Sequence, residues 1–463
     1  MKVALHNLGC KVNSYELDKI AGELIASGFE LVPFKEGADV YIVNTCTVTN
    51  IADRKSRQML HRAKKLNPHA LVVALGCYVD TSPDCGKKDD CIDIALSNKE
   101  KEKLPEMLDE WAKKTANEIN VQNTYRSHTR AYVKIQDGCN VFCTYCIIPF
   151  ARGRSVSRPV DEVLSEVKAL AAAGVKEIVL TGIHISSYGL DFAIAKNQVD
   201  QREEPKVTEE REGNGDKCEE VVGIALHDLV KRVNAIEGIE RIRLGSLEPR
   251  TLTDEVLNTY LSCEKLCPHF HLSLQSGSES VLERMHRRYS AAEYAQAVAK
   301  LRQAYDNPAI TTDVITGFPG ETEEEFEESR RFIEQMDFYE THVFPYSVRK
   351  GTKAEKMPGQ HTARTKTERA EILIKMSAEH AKRYRAQFIG KQVRVLWEDK
   401  EDAEGKPYLI GHTERYVRVA VPIEKTEQPK VNGTSASNAI PVSGQITEVI
   451  PTGFLNDETL LVL

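Results

Sequence analysis

The chain has 463 residues, with 62 Lys+Arg against 69 Asp+Glu for a formal net charge of −7, and it is 41% hydrophobic and 28% charged. At roughly 150 residues per domain this length argues for about three domains, or two with one large barrel, and the composition excludes a collagenous or largely disordered chain. The mild acidity argues against a wholesale basic nucleic-acid binder, although a sum of charges can hide a basic face.

Residues 1 to about 115 alternate short apolar runs with helical patterns. Val3–Leu8, Asp39–Thr45 and Ala70–Gly76 are apolar on both faces, as strands of a covered parallel sheet are. Tyr15–Ala26 and Ile51–Leu66 carry apolar residues at helical spacing, which makes this a parallel α/β sandwich. A longer series follows at 126–360, with strands over 132–136, 177–182, 241–246, 269–275, 310–318 and 341–347. Helical stretches at 160–173, 226–233, 291–305 and 323–336 separate them. Six βα units predict an open (β/α)6 partial TIM barrel, whose chemistry belongs at the C-terminal strand ends. Phe192–Val222 and Ile423–Ala439 read as polar surface insertions. A charged helix over Ala363–Phe388 leads into an all-β pattern of short strands at 388–463, a small barrel.

No apolar run reaches the roughly 18 residues that span a bilayer. The opening MKVALHNLGC breaks with a polar His-Asn pair where a signal peptide keeps an apolar core, so the chain reads as cytoplasmic. In that compartment the eleven cysteines are read for metal or chemistry rather than for bridges. Cys139, Cys143 and Cys146 form a C-x3-C-x2-C cluster just after the first barrel strand. A structural zinc wants four ligands, whereas an iron–sulfur cube held at three irons leaves one iron open; a zinc knuckle is the plainer alternative. Cys10, Cys46 and Cys77 each directly follow a predicted strand, in HNLGC, VNTC and ALGC. Strand ends of a parallel sheet share one edge, so three loops can bring three thiolates together there. Singly each is an ordinary buried cysteine; the same position taken three times points to a site. Cys263 and Cys267 read as packing residues, and Cys85, Cys91 and Cys218 as cysteines of polar surface segments. The charge run Glu321–Glu328 reads as a solvated first helical turn.

The C-x3-C-x2-C cluster with Tyr145 before its last cysteine resembles the radical S-adenosylmethionine signature. LGCKVNSYE, NTCTVT and LGCY, followed by DGCNVFCTYCIIPFARGRSVSR, resemble the methylthiotransferases over nearly the whole chain, and the last barrel resembles the RNA-binding TRAM domain. GCKVN, NTCTVT and LTGIHISSYG look most like the subgroup acting on threonylcarbamoyladenosine in tRNA, the MtaB type. Related subgroups modify isopentenyladenosine in tRNA or an aspartate of a ribosomal protein, and a non-catalytic zinc-binding RNA chaperone is the remote alternative.

The resemblance implies two [4Fe-4S] clusters. One, on Cys139, Cys143 and Cys146, cleaves S-adenosylmethionine to a radical; the auxiliary one, on Cys10, Cys46 and Cys77, holds the sulfur to be delivered to carbon 2 of the adenine at tRNA position 37. Tyr145 would lie near the adenine of S-adenosylmethionine, and Gly182 and His184 near its amino group. Ser246, Glu248, Gln275 and Ser276 end later strands, where they are placed for ribose or carboxylate. Arg287 would offset a carboxylate, that of S-adenosylmethionine or of the threonyl group. The bland alternative for each is a hydrogen bond that organises its own loop. Expected partners are the tRNA anticodon stem-loop and an electron donor such as flavodoxin or ferredoxin. From Gly359 to Arg394 nine basic residues stand against three acidic ones. Lys382, Arg383, Arg385 and Arg394, with Arg415, Tyr416 and Arg418, are therefore the candidate RNA contacts.

Overall fold

The protein, in a computed structural model, is described over residues 1–82, 85, 89–115, 129–192, 225–403, 405–423 and 441–463. The two polar insertions, and Cys218 within the first, lie outside the described residues. The first unit is a parallel sheet in the order β2-β1-β3-β4-β5, formed by β1 (Lys2–Asn7), β2 (Glu30–Val32), β3 (Val40–Thr45), β4 (Leu71–Gly76) and β5 (Ile94–Leu96). Helices α1 (Lys11–Ala26), α2 (Asn50–Leu66), α3 (Cys77–Thr81) and α4 (Leu104–Thr115) complete it. Val3, Ile42 and Val73 face one apolar cluster and Ala4, Tyr41, Val43 and Val72 the other, so both faces are covered as the apolar runs predict. Cys85 belongs to that second cluster and is buried, which corrects its assignment to the surface.

The second unit is the open barrel. Its strands are β6 (Arg130–Asp137), the antiparallel edge β7 (Val156–Ser157), β8 (Glu177–Gly182), β9 (Arg241–Leu244), β10 (His269–His271), β11 (Ala309–Thr316) and β12 (Glu340–Pro345). Hydrogen bonding gives the orders β7-β6-β8-β9 and β10-β11-β12, joined by parallel bridges Ile242–Leu266 and Leu247–Leu272. Six parallel strands thus run in sequence order, as predicted. The expected strand 269–275 shortens to three residues, because beyond His271 the chain bridges its neighbours singly and Gln275 takes φ 73°. Helices α5 (Ile148–Arg152), α6 (Val160–Ala172), α7 (Leu226–Asn234), α8 (Asp254–Leu261), α9 (Glu279–Arg284), α10 (Ala291–Ala304) and α11 (Glu323–Met336) accompany the strands. Val133, Ile178, Ile242, Phe270, Ile310 and Val314 pack in the cluster shared with those helices, and the alternate residues face the lumen. Helix α11 opens with a capping box between Thr322 and Glu325, while Glu321 is buried against Arg369, so the acidic run is only partly solvated.

The long α12 (Ala363–Ala386) leads to a six-stranded sheet of β13 (Val393–Ala403), β14 (Lys406–Thr413), β15 (Arg418–Pro422), β16 (Ile446–Val449), β17 (Gly453–Asn456) and β18 (Thr459–Leu461), in the order β16-β13-β14-β15-β18-β17. This sheet closes the base of the open barrel. Arg241 donates to His412 O at 2.9 Å and Arg394 O at 2.8 Å, and Arg243 to Glu414 O at 2.7 Å and Thr413 O at 2.6 Å. Both arginines, with Arg130, gather on Glu177, which is fully buried at the start of β8. The lumen therefore starts from a charged layer rather than the usual Val, Ile and Leu. No helix among the described residues is long and apolar enough to cross a membrane.

Candidate functional site

Strands β1, β3 and β4 are adjacent and parallel, so their C-terminal ends share one edge and deliver Cys10, Cys46 and Cys77 to it. The turns are tight. Gly9 takes φ 126°, and a Cβ there would stand 3.2 Å from Cys46 Cβ. Gly76 takes φ 91°, and a Cβ would stand 2.6 Å from Asn44 Oδ1 and 2.9 Å from Thr45 O. Only glycine meets both demands without strain. Gly76→Ala is therefore expected to cost about 1–3 kcal/mol, read as a lower urea midpoint, together with reduced iron loading at the loop that carries Cys77.

Cys10, Cys46 and Cys77 are all free thiols. Burial, and then its neighbours Cys77 and Cys10, push the Cys46 thiol up to about 11. Burial also raises Cys77, against the pull of the nearby Arg152 guanidinium, and Asn98 Nδ2 donates to Cys77 Sγ at 3.4 Å. The second trio wraps the loop after β6. Burial, and then Cys143 and Cys139, push Cys146 up to about 12. The backbone N–H of Val141 donates to Cys139 Sγ at 3.4 Å, and Arg287 Nη1 to Cys143 Sγ at 3.1 Å.

Among the described residues the groups of three His, Cys, Asp or Glu whose donor atoms all lie within 4.8 Å of one another are His61–Asp89–Cys91 and His271–Asp313–His342. Both cysteine trios are spread wider. One tetrahedral zinc with Zn–S bonds near 2.3 Å would draw its sulfurs to roughly 3.8 Å, so the spread, the thiolate chemistry and the N–H···S donors fit an iron–sulfur cube better.

Several sequence candidates come together beside Cys143. Arg287 Nη2 donates to Glu248 Oε1 at 2.6 Å and Nε to Tyr289 Oη at 3.0 Å, and His184 Nε2 lies 3.5 Å from the same Glu248 oxygen. Burial alone would raise the Glu248 carboxyl, but His184 and Arg287 hold it below its ordinary value. The His184 backbone N–H donates to Gln136 Oε1 at 2.8 Å, and a Cβ at Gly182 would meet Gln136 O at 2.8 Å. Tyr145 packs against Val281, Met285 and Phe318. Ser246 is exposed at the end of β9, Gln275 holds β11 through Asp313 O at 2.8 Å, and the buried Ser276 accepts from Ser278 N at 3.2 Å.

The residues that join the two trios were not among the expected site residues. Arg152, on the short α5 after Cys146, donates to Asn13 Oδ1 at 2.7 Å and to Glu16 Oε1 at 3.0 Å, both on the helix that starts beside Cys10. Burial would raise Glu16, yet Arg152, Lys101 and Lys134 hold it far below the usual carboxylate range. Arg349 of the loop after β12 binds Thr47 at 2.6 Å and Asn50 at 2.8 Å, next to Cys46. Asn13 and Glu16 lie in the run LGCKVNSYE, at +3 and +6 from Cys10, and Arg152 in IIPFARGRSVSR, at +6 from Cys146, whereas Arg349 lies in neither run.

Of the expected RNA contacts, Lys382, Arg383 and Arg394 are exposed, each beside one or two acids, Asp457, Asp337, and Glu414 with Glu240. Arg418 is half-buried and paired with Glu401. Three others turn inward. Arg385 is buried against Glu340 and Tyr339, and Arg415 donates to Asn307 O at 2.9 Å and Asp306 O at 2.7 Å. Tyr416 sits under Arg130 and Arg243, 5.0 and 4.8 Å from its ring, and stacks 4.7 Å from His412, so it fills the barrel base instead of offering a ring to RNA.

Residues 133–333 match the Radical SAM superfamily and residues 2–97 the Uncharacterized protein family UPF0004. The chain is 38% identical, over 90% of its length and 89% of the other, to the threonylcarbamoyladenosine tRNA methylthiotransferase MtaB of Bacillus subtilis (strain 168). Against the MtaB of Aquifex aeolicus (strain VF5) the figures are 37%, 90% and 98%. It is also 35% identical, over 84% of its length and 80% of the other, to the tRNA-2-methylthio-N(6)-dimethylallyladenosine synthase of Caldicellulosiruptor saccharolyticus. Among solved structures, the radical S-adenosylmethionine methyltransferase TsrM from Kitasatospora setae superposes with TM-score 0.50 at 16% identity, covering 74% of this chain and 72% of that one, a likeness of fold.

Proposed function

Because the chain belongs to the tRNA methylthiotransferases of the radical S-adenosylmethionine superfamily, we propose that it adds a methylthio group to carbon 2 of threonylcarbamoyladenosine at tRNA position 37. The observation that carries this reading is the Arg152 bridge, which holds the loop of Cys139, Cys143 and Cys146 against the helix beginning at Cys10, so that both trios serve one mouth. When bound, the two [4Fe-4S] clusters supply the electron that cleaves S-adenosylmethionine and the sulfur that is delivered.

The chain's own residues do the positioning. Cys139, Cys143 and Cys146 hold one cluster, and Cys10, Cys46 and Cys77 the other. Arg287 and Glu248 fix a charged pair beside Cys143, where the amino and carboxylate groups of S-adenosylmethionine need one partner of each sign. Gly182 and His184 line the same wall, Tyr145 closes it on the apolar side, and Ser246 and Gln275 stand at neighbouring strand ends. Preorganised geometry of this kind lowers the barrier by orientation alone.

The anticodon stem-loop is the bound RNA in this reading, with Lys382, Arg383, Arg394 and Arg418 as phosphate contacts. A flavodoxin or ferredoxin supplies the electrons, and the setting is the cytoplasm. Relatives named for threonylcarbamoyladenosine match at up to 38% identity over 90% of the chain, against 35% over 84% for the dimethylallyladenosine enzyme, which favours the first substrate. Nucleoside mass spectrometry of tRNA from a strain lacking the gene is expected to lose the methylthio mark on threonylcarbamoyladenosine and to keep the one on dimethylallyladenosine. Persistence of the first mark would overturn the reading.

A further inference from the structure

We propose that the lumen of the open barrel holds a subsite for the anionic threonyl head of the modified adenosine, with Lys11 as its cation and His271, Asp313 and His342 as its hydrogen-bonding wall. The proposal rests on the substrate reading above and names the residues that would make it selective.

The wall follows from register. His271 pairs with Thr311 across β10 and β11, and Asp313 with His342 across β11 and β12. Their sequence neighbours Phe270, Ile310, Val314 and Val343 pack against the helices, so these four polar residues face the lumen. His271 Nε2 stands 3.2 Å from Asp313 Oδ2, its Nδ1 stands 2.9 Å from Thr311 Oγ1, and its ring stacks on His342 at 5.8 Å. Burial would raise the Asp313 carboxyl, but His271, His342 and Lys11 hold it down, so it stays an acceptor.

Lys11 follows Cys10 directly and lies in the electrostatic field of Arg243, Arg130, Glu177 and Asp313. The arginines of that field are engaged: Arg243 with Glu177 and two backbone carbonyls, Arg130 with Glu177 and Glu398. Neither Lys11 nor His342 has a hydrogen bond or ion pair with any described residue, and both side chains are exposed, so a ligand entering the mouth can reach them. Arg287, the other cation considered for a carboxylate, is held beside Cys143 by Glu248 and Tyr289, where the reading above gives it to S-adenosylmethionine.

Two kinds of ligand satisfy a His-Asp-His wall, and charge decides between them. A divalent cation would sit beside Lys11, Arg130 and Arg243, which repel it. A threonylcarbamoyl head offers a carboxylate for Lys11 and N–H and O–H donors for Asp313 and the imidazoles. The reach agrees: the Lys11 Cα lies about 3.8 Å from that of Cys10, and its side chain adds five bonds of about 1.5 Å each. That spans the separation of carbon 2 of an adenine from a carboxylate carried on its N6. A dimethylallyl head would leave the ammonium unanswered.

The test uses the full-length protein with both clusters reconstituted and tRNA bearing threonylcarbamoyladenosine. Lys11→Gln is expected to lower kcat/KM about 10- to 100-fold, mainly through KM, with iron content and the cluster electron paramagnetic resonance spectrum unchanged and Lys11→Arg recovering part of the loss. On tRNA whose threonyl carboxylate is converted to a methyl ester, wild type is expected to fall to the Lys11→Gln level and the variant to lose nothing further. Equal losses for Lys11→Gln on the free acid and the ester overturn the proposal. If Lys11→Gln instead loses iron, His342→Gln decides, being far in sequence from every cysteine: a KM increase on free acid and ester alike supports the subsite, and none overturns it. Wild type inactive on this tRNA yet active on dimethylallyladenosine would sink the substrate reading itself.

Discussion

Cys46→Ala protein is expected to retain reductive cleavage of S-adenosylmethionine and to add no methylthio group to tRNA. Cys46 ends β3, the strand between β1 and β4, and its thiol is the one raised by both Cys77 and Cys10. Alanine there removes the middle donor of a set of three and leaves two sulfurs on the flanking strands, too few to keep a cube. Iron should fall from about eight to about four per chain. The loop of Cys139, Cys143 and Cys146 is held by its own contacts, Arg287 on Cys143 and Val141 N on Cys139, so its chemistry survives. Release of methionine and deoxyadenosine at an undiminished rate, with methylthio product at background by nucleoside mass spectrometry, is the expected pair of readings. Normal methylthiolation would remove Cys10, Cys46 and Cys77 from the mechanism.

The second large effect belongs to stability. Glu177→Ala is expected to cost about 3–5 kcal/mol, the range for breaking a buried ion pair from one side. Glu177 accepts from Arg243 Nε at 2.8 Å and from Arg130 Nε, and Arg241 lies 3.7 Å away. Burial would raise its carboxyl, but Arg243 and Arg130 outweigh burial and hold it far below the ordinary value. A carboxyl lowered in the folded state adds stability above its unfolded value, near 4.3, and that contribution fades as pH falls below it. Wild type should therefore lose more stability than Glu177→Gln between about pH 5 and pH 3. Urea unfolding supplies both readings. Adding Arg243→Met to Glu177→Ala should cost less than the sum of the two, since the second change removes a charge the first stranded.

Much of the architecture was legible because burial writes a pattern. The apolar runs of β1, β3 and β4 and the alternation along β6, β8 and β11 follow from what each face touches. Three-residue strands such as β2 and β5, and the five-residue α3 and α5, are too short to show a period. The six paired cysteines stood out by position after strands. Arg152, Glu16 and Arg349 did not, because their partners lie more than a hundred residues away for the first two and about three hundred for the last. Counting cations gave the basic face, but a count cannot tell Lys382, which stays exposed, from Arg385, whose guanidinium is buried against Glu340.

The closure of the barrel base also sets an order of assembly. Arg130, Glu177, Arg241 and Arg243 belong to strands made early in synthesis, whereas the carbonyls and Glu398 that complete their bonding come from β13, β14 and the turn that follows. Until the ribosome has released that sheet, Glu177 alone answers the three guanidinium groups, and their remaining N–H donors stay open to water at the base. Domains emerging first usually fold first; here the barrel reaches its final stability only when the sheet of β13 and β14 arrives to stopper it.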